Sequence, residues 1–286
     1  MVLVNVLIPT FGRKTALAIV LTSLLGQTFR DFDVTISDQT DEDERYTDSL
    51  EIQTLVGALR WRGHAVTIHH NFPRQGMAQQ RQFLFDQSSA PYVHYLDDDV
   101  ALDPQVLERM LGVLQSEGCG FVGCPAVGLQ FLDDVRPHQQ GIELWDGPVV
   151  PEPFTPETIP WDRVPINNAA NPLHIERRLA PNGETLRYHI AWVGGANLLF
   201  DRQKLDAVGG FSWWTRLPSA HAGEEVVVQF LMLRYFGGCG VLPTGTYHMC
   251  LPTTIADRTH NATELFGALI EELDPVLAPQ LVLPGR

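Results

Sequence analysis

Three consecutive carboxylates, Asp97, Asp98 and Asp99, follow an apolar run at residues 92–96. Adjacent carboxylates repel one another, so such a cluster needs a divalent cation or strong hydrogen-bond donors to compensate its charge. Mg²⁺ and Mn²⁺ suit it because they bind one or two carboxylates and keep the remaining coordination positions for substrate phosphates. An acidic turn that only caps the next helix is the alternative, but Asp103 already stands at the expected cap. The cluster therefore predicts a site for Mg²⁺ or Mn²⁺ and a phosphorylated substrate.

A second acidic pair, Glu224 and Glu225, stands near the start of a helical pattern at residues 223–236. A carboxylate in a cleft can act as a general base, whereas acids in a first helical turn can also serve only the helix dipole. His248 follows the last apolar strand, where a neutral imidazole can bind Mn²⁺ or simply be held by a hydrogen bond. Both features become functional candidates if the fold brings them to the acidic cluster.

Apolar runs and amphipathic segments alternate along the chain, and these elements must position the candidate residues. The predicted strands are residues 4–8, 32–37, 66–70, 92–96, 120–124, 190–200 and 240–247. The predicted helices are residues 16–25 with Thr15 as N-cap, 75–86, 105–114 after the Asp103 cap, 223–236 and 263–272. Such alternation is typical of an α/β fold with a mostly parallel sheet and helices on both faces. Because ligands bind at the carboxyl ends of such strands, the acidic cluster lies at the expected ligand-binding edge.

The composition restricts the class of partner. The 286 residues are 44% hydrophobic and 19% charged, which is typical of a globular protein. The net charge of −14 argues against nucleic acid and against docking on an anionic membrane. The sequence contains no uncharged apolar run of about 18 residues, so it predicts no membrane-spanning helix. Without a visible export signal, the four cysteines are expected to be free thiols in a reducing cytoplasm rather than a disulfide pair.

Seven short motifs together resemble those of family 2 glycosyltransferases with the GT-A fold. They read PTFGR at 9–13, SLLGQT at 23–28, FDVTISD at 32–38, RQGMA at 74–78, DDD at 97–99, WVGGAN at 192–197 and GEE at 223–225. The acidic cluster at residues 97–99 resembles the DxD motif of that family. Each motif is short, and the resemblance depends on their order and spacing over roughly residues 2–250, with a gap in the Pro-rich stretch.

The resemblance implies transfer of a sugar from a nucleotide-sugar donor with inversion at the anomeric carbon. It implies Mn²⁺ or Mg²⁺ on the diphosphate and a general base at Glu225, where the family commonly has Asp, with Glu224 as the alternative. A UDP-sugar is the expected donor because the Asp38 carboxylate can accept the imide N–H of uracil, although Asp38 can equally be an ordinary polar turn. The implied acceptor is a glycan, a lipid-linked molecule or another hydroxyl compound.

The implied site residues fall into three further groups. The nucleotide-binding residues are Pro9, Thr10, Arg13, Asp38, Arg74, Gly76, Asp97 and Asp98. The metal ligands are Asp99, Asp97 and His248. The acceptor-side residues are Trp192, Gly194, Gly195, Ala196, Trp213 and Trp214. The three Trp side chains either stack on a sugar or belong to the core. Arg13 and Arg81 are either part of the nucleotide site or solvated surface residues.

The same resemblance predicts a single GT-A domain with a Rossmann-like sheet at residues 1–250. Its nucleotide-binding half covers residues 1–128, and its acceptor-side half covers 129–250 and holds a Pro-rich insertion. Residues 251–286 are expected to form a C-terminal tail with a short helix. The expected location is the cytoplasm, either free or peripheral to the inner face of the membrane. The sequence leaves open the donor sugar, the acceptor, the role of residues 129–190 and the oligomeric state.

Three other functional classes are compatible with parts of the pattern. A sugar-nucleotide nucleotidyltransferase usually has a Gly-rich loop after the first strand, where this chain has only Gly12. A phosphatase with a DxD nucleophile carries that motif on its first strand, whereas here it follows about the fourth. A non-catalytic GT-A-like protein that binds glycan or nucleotide would not need both the acidic cluster and the pair Glu224 and Glu225.

Overall fold

The computed structural model of the chain describes residues 2–255 and 257–280. The strands of this part are β1 (Val4–Thr10), β2 (Phe32–Asp38), β3 (Val66–His70), β4 (Tyr92–Leu96), β5 (Val100–Leu102), β6 (Phe121–Gly123), β7 (Leu186–Tyr188), β8 (Asn197–Asp201), β9 (Gly238–Leu242) and β10 (Thr246–His248). The α-helices are α1 (Lys14–Leu25), α2 (Leu50–Trp61), α3 (Met77–Asp86), α4 (Val106–Glu117), α5 (Asn171–Leu179), α6 (Arg202–Ala207), α7 (Glu224–Phe236) and α8 (Phe266–Leu277).

Eight strands form one central sheet in the order β3-β2-β1-β4-β8-β6-β9-β7. The pairs β3-β2, β2-β1, β1-β4 and β6-β9 are parallel. β8 runs antiparallel between β4 and β6, and β7 runs antiparallel along β9 at the edge. A second, two-stranded sheet pairs β5 with β10. The α/β fold with a mostly parallel central sheet is therefore confirmed.

Helices cover both faces of the central sheet because side chains alternate along each strand. Val6 and Ile8 of β1 belong to a buried cluster that includes residues of α1, α2 and α4. Leu7, between them, belongs to the opposite cluster, which includes residues of α3, α7 and α8. The two apolar layers leave the carboxyl ends of the parallel strands as the edge where polar residues gather.

Several element boundaries differ from the sequence-based expectations. The helix α2 is not predicted, although its buried residues Ile52, Val56 and Leu59 have helical spacing. The predicted strand at 190–200 begins only at Asn197, and the one at 240–247 divides into β9 and β10. Residues 129–190 contain α5 and β7, so this stretch is less irregular than expected.

Both predicted N-caps are wrong. Thr15 lies inside α1, and α4 begins at Val106 with Gln105 at its N-cap position. The Asp103 carboxylate instead accepts a hydrogen bond from the Tyr247 hydroxyl at 3.0 Å. This contact ties the loop after β5 to β10, so the Asp103 side chain is engaged away from the helix.

The chain after β10 rejoins the core through α8. The rings of Phe230 in α7 and Phe266 in α8 lie 5.0 Å apart between centroids. The division of the chain at residue 250 stays a prediction. All four cysteines are free, and three of them are buried. In the described part of the chain, none of the helices has the length and apolar character that a membrane span requires.

Candidate functional site

The acidic cluster lies where the carboxyl ends of β1 and β4 meet. The Thr10 hydroxyl, at the end of β1, donates a hydrogen bond to Asp98 Oδ2 at 2.6 Å. The backbone N–H of Asp97 donates to the carbonyl of Ala196 at 3.0 Å. Since Ala196 directly precedes β8, the antiparallel pairing of β4 and β8 brings the predicted acceptor-side loop to the acidic cluster. Pro9 lines a small cavity on the same edge.

Arg13 compensates part of the charge of the cluster. Its Nη1 donates to Asp98 Oδ1 at 3.0 Å and to Asp99 Oδ2 at 2.7 Å. Its Nη2 donates to the carbonyl of Pro252 at 2.7 Å. Burial raises the pKa of Asp98 to about 6, although the hydrogen bonds from Thr10 and Arg13 oppose that rise. Arg13 is therefore a member of the site and not a solvated surface residue.

Arg81 joins the acidic cluster to the second acidic pair. The residue is only 3% exposed, and its Nη2 donates to Asp97 Oδ1 at 3.1 Å while its Nε donates to Glu224 Oε1 at 3.2 Å. Burial opposes the charged form, but Asp97 and Glu224 outweigh it and raise the pKa of Arg81. The interpretation of Arg81 as a surface residue is wrong. Its spacing from the buried Ala78 and Leu84 places it on the inner face of α3, a signal that the sequence contained.

Glu225 lines a cleft of about 390 Å³ together with Asp97 and Asp99. Glu225 is partly exposed, whereas Glu224 beside it is buried and bound by Arg81. Burial and the charge of Glu224 raise the pKa of Glu225 to about 7. A carboxylate with this pKa can exchange a proton near neutral pH, as a general base must.

The absence of a side chain at Gly195 leaves the space that the Glu225 side chain occupies. A Cβ built on Gly195 lies 2.3 Å from Cγ of Glu225 and 3.0 Å from its Cβ. The predicted acceptor-side loop thus contacts the candidate base directly, and only glycine fits without moving it.

We expect Gly195→Ala to lower kcat roughly 100-fold, because a displacement of about 1 Å at a reacting group can cost that much. Affinity for the donor should change little, since the substitution moves Glu225 and leaves the acidic cluster in place. Steady-state kinetics with the donor varied will separate the two effects. Gly57→Ala, where a Cβ meets nothing within 4 Å, is the matched control. An unchanged kcat in Gly195→Ala would argue against Glu225 as the reacting group.

His248 faces the acidic cluster from β10. The backbone N–H of Cys250 donates to its Nδ1 at 2.9 Å, so the proton of the neutral ring is assigned to Nε2. Nε2 lies 3.5 Å from Asp99 Oδ2. In this arrangement the imidazole presents a donor to Asp99, and binding a metal through Nε2 would require the ring to give up the Cys250 contact.

Asp97 and Asp99 offer carboxylate oxygens to the same cleft. Burial, together with neighbouring Asp99 and Glu225, raises the pKa of Asp97 despite its ion pair with Arg81. Within residues 2–255 and 257–280, there is no group of three or more His, Cys, Asp or Glu side chains that could hold a metal ion without further ligands. Mg²⁺ and Mn²⁺ need only one or two carboxylates when diphosphate oxygens complete the shell. The donor set therefore fits a divalent ion that binds together with its substrate.

Gly76 and His221 shape the start of α3. Gly76 has φ of +95°, and a Cβ there would lie 2.5 Å from the carbonyl oxygen of Ser219. His221 accepts a hydrogen bond from the backbone N–H of Ala78 at Nε2, and its Nδ1 donates to the carbonyl of Pro218. With both ring nitrogens engaged, His221 holds the helix start in place.

Asp38 is fully buried in its own turn. Its Oδ1 accepts from the backbone N–H of Thr40 at 2.9 Å, and its Oδ2 accepts from the Thr47 hydroxyl at 2.8 Å. Both oxygens are thus used within the fold. The next residue, Gln39, lines the small cavity instead, together with Arg74.

The three predicted Trp residues pack within the fold. Trp213 is 4% exposed, and its indole N–H donates to the carbonyl of Gly210 at 3.1 Å. Trp192 packs edge-on against Trp161, with ring centroids 5.6 Å apart, and Trp214 is partly buried against the same core. Trp213 is therefore a core residue, and this placement does not support its stacking on a sugar.

The segment between β10 and α8 covers the site, which the sequence did not indicate. The carbonyls of Pro252 and Thr254 accept hydrogen bonds from Arg13 and Arg74, the latter at 3.2 Å. Arg258 lines the cleft from the same segment. Arg13 and Arg74 thus tie this segment to the edge of the sheet.

The sequence of the chain matches a known family. Residues 5–174 match the model described as Glycosyl transferase family 2. An uncharacterized glycosyltransferase of Haemophilus influenzae is 26% identical over 125 residues, a region that covers 43% of this chain and 39% of that protein.

The fold also matches solved structures. The crystal structure of S. aureus TarS 1-349 in complex with UDP-GlcNAc superposes with a TM-score of 0.56 and 13% identity, covering 98% of this chain and 67% of that one. The complex of the same protein with UDP gives a TM-score of 0.53 and 13% identity, covering 85% of this chain and 59% of that one. At this level of identity the likeness is one of fold.

Proposed function

Because the chain belongs to glycosyl transferase family 2 and is a glycosyltransferase, we propose that it transfers a sugar from a UDP-sugar to a hydroxyl group with inversion at the anomeric carbon. The proposed acceptor is a glycan or a lipid-linked molecule. The proposed cofactor is Mn²⁺ or Mg²⁺, held by Asp97 and Asp99. The UDP-GlcNAc bound in the TarS structure of the same fold supports the choice of donor.

One observation carries this proposal: Glu225 shares a single cleft with Asp97 and Asp99. A donor whose diphosphate lies at the two aspartates would direct its sugar into the cleft toward Glu225. The acceptor hydroxyl would then approach from the side opposite the leaving diphosphate, which is the geometry that inversion requires.

In the proposed reaction, Glu225 accepts the proton of the acceptor hydroxyl as its oxygen attacks the anomeric carbon. The bond from that carbon to the diphosphate breaks, and the electron pair leaves with the diphosphate. When bound, a divalent cation supplies the positive charge that stabilises this leaving group. Arg81 holds Glu224 and Asp97 in their places, and Gly195 leaves Glu225 free to reach the acceptor.

The proposed base predicts a pH dependence. Burial and the Glu224 charge raise the pKa of Glu225 to about 7, so kcat/KM should rise with pH through an acid limb near that value. In Glu224→Gln one of the two causes is removed, and the limb should move to lower pH. The measurement is kcat/KM from pH 5 to 9 for both proteins. A limb that does not move would assign the titration to another group.

A donor screen tests the proposal as a whole. UDP-, GDP-, dTDP- and CDP-sugars are added with Mn²⁺, and melting temperature and nucleotide release are measured with and without a chelator. We expect a UDP-sugar to raise the melting temperature and to release UDP, with both effects lost on chelation. NMR of a product will report the anomeric configuration. Donor binding that is unchanged by the chelator would contradict the proposed role of the metal. A product with the anomeric configuration of the donor would contradict inversion.

A further inference from the structure

A chain of buried hydrogen bonds leads from β4 through β8 to β10. His94 Nε2 lies 2.6 Å from Oδ1 of Asn197, and Asn197 Nδ2 donates to Thr246 Oγ1 at 2.9 Å. The Thr246 hydroxyl in turn donates to the carbonyl of Thr244 at 2.7 Å. His94, Asn197 and Thr246 are all fully buried. Since β10 belongs to the second sheet, the Asn197 side chain connects the two sheets.

Only one orientation of the Asn197 amide satisfies both of its neighbours. The Thr246 hydroxyl gives its proton to a carbonyl, so its oxygen accepts, and the amide nitrogen must face it. The amide oxygen then faces His94, whose ring must carry its proton at Nε2. Burial lowers the pKa of His94 to about 4, so the ring is neutral and keeps this single proton near pH 7. The amide is therefore held by a donor at one end and by an acceptor at the other.

The backbone next to Asn197 contacts both acidic parts of the candidate site. Asn197 is the first residue of β8, and the carbonyl of Ala196 before it accepts a hydrogen bond from the backbone N–H of Asp97 at 3.0 Å. One residue earlier, Gly195 lies against Glu225, with only 2.3 Å between a Cβ built on Gly195 and Cγ of Glu225. A shift of Asn197 would therefore move the loop that contacts Asp97 and the proposed base.

Thr246 places the other end of the chain beside Asp99. Thr246 is the first residue of β10, and His248 at the end of this short strand faces Asp99. The next backbone N–H, that of Met249, donates to the carbonyl of Asp99 at 2.9 Å. Asn197 thus connects this strand with the loop before β8.

We propose that Asn197 is a positioning residue for glycosyl transfer, whose amide holds the loop at residues 194–196 and β10 at the spacing that the reaction needs. The inference rests on the proposed function. Because Asn197 is fully buried, it acts through Gly195 and the acidic cluster and does not contact the substrate. A displacement of about 1 Å at a reacting group can cost 100-fold in rate, so loosening this amide should lower kcat. Donor affinity should change less, because Arg13 and Arg81 hold the acidic cluster independently.

His94 provides the test, because its substitution changes the Asn197 contact and leaves Asn197 itself in place. His94→Leu removes the donor, so kcat for nucleotide release should fall roughly tenfold or more while calorimetric donor affinity stays close to that of wild type. His94→Gln presents an amide N–H at a similar reach and should retain most of kcat. His64→Leu is the matched control, since His64 is also buried and its ring lies 2.7 Å from the carbonyl of Phe32 at the start of β2. This control should lower the melting temperature and leave kcat unchanged.

Thr246→Val tests the same chain from its other end, since it replaces only a hydroxyl by a methyl group. It should lower kcat by a similar factor. In the double variant with His94→Leu, the combined loss should be smaller than the product of the two single losses, because both act through Asn197. Thr246→Val also carries the test if His94→Leu does not fold.

Four outcomes would overturn the inference. Both His94→Leu and Thr246→Val keep the kcat of wild type, His64→Leu lowers kcat as much as His94→Leu, His94→Gln is no better than His94→Leu, or the two losses multiply in the double variant. Each outcome leaves the proposed function intact, since wild type still transfers sugar. If wild type uses no nucleotide-sugar donor, the proposed function fails, and this inference fails with it. Assays well below the lowest melting temperature distinguish lost positioning from lost folding.

Discussion

Glu225→Gln is expected to slow glycosyl transfer by roughly two to four orders of magnitude. The amide cannot accept the proton of the acceptor hydroxyl, while its size and its place beside Gly195 are preserved. Donor affinity should stay near that of wild type because the acidic cluster is untouched. Single-turnover transfer and calorimetric donor binding measure the two quantities separately.

Glu224→Gln is the matched comparison for this result, since it makes the same chemical change one residue away. It should leave measurable transfer, with the acid limb of the pH profile moved. If Glu224→Gln abolishes transfer and Glu225→Gln does not, the base is Glu224 and the role of the cleft must be revised.

Glu225→Gln should also stabilise the protein at alkaline pH. The pKa of Glu225 is raised from 4.5 to about 7 in the fold, chiefly by burial. A raised pKa means that the folded state favours the protonated carboxyl, so stability is lost as pH rises through 7. Glu225→Gln removes this loss, on the order of 1–3 kcal/mol at pH 8. Melting curves should show a gain at pH 8 that shrinks as pH falls toward 4.5.

Asp99→Asn is expected to weaken Mn²⁺-dependent donor binding by about 100-fold or more. Losing even a hydrogen-bond partner of a metal ligand costs 10- to 100-fold in affinity, and here a proposed ligand itself loses its charge. Calorimetry with a UDP-sugar, with Mn²⁺ and with chelator, gives the measurement.

The chelated samples are the control for Asp99→Asn. Without metal, wild type and variant should both bind the donor weakly. The remaining difference between them should be only the effect of the ion pair between Arg13 and Asp99, which the variant lacks. If the variant keeps the full Mn²⁺ response, Asp99 is not a ligand. Asp97 with the diphosphate alone would then have to hold the ion.

The fold and the main acidic residues were predictable from local patterns. The alternation of apolar runs and helices predicts a mostly parallel sheet, and such sheets gather ligands at one edge. The fold resembling that of GT-A glycosyltransferases and the membership of Glycosyl transferase family 2, both expected from the motifs, are confirmed. Asp97 and Asp99 follow β4, Glu225 lies in the first turn of α7, and all three line the same cleft.

The pairings of the site were harder to predict because they join distant parts of the chain. Arg81 and Glu224 are 143 residues apart and meet only once α3 packs against α7. The sequence around Arg81 or around Glu224 does not indicate which residue forms the ion pair with it. The covering segment after β10 is likewise recognised only through its contacts with Arg13 and Arg74.

The position of Asp38 shows how strand alternation decides which side chain turns into the core and which reaches a cavity. Val34 and Ile36 of β2 pack on the face of α1 and α2, and Asp38 continues the same alternation into that side. Gln39 follows on the opposite side, toward the cavity. The period of the strand was present in the sequence, and it already indicated that the Asp38 side chain turns inward.

β8 lies between β4, which precedes the acidic cluster, and β6, after which a long connecting segment begins. β8 fixes the register of the acidic cluster by pairing Leu96 with Asn197, while the segment between β6 and β7 begins and ends on the same sheet. A segment anchored in this way can double in length for only about 0.6 kcal/mol of closure entropy. The segment between β6 and β7 can therefore change in length without altering the strand register that places the acidic cluster.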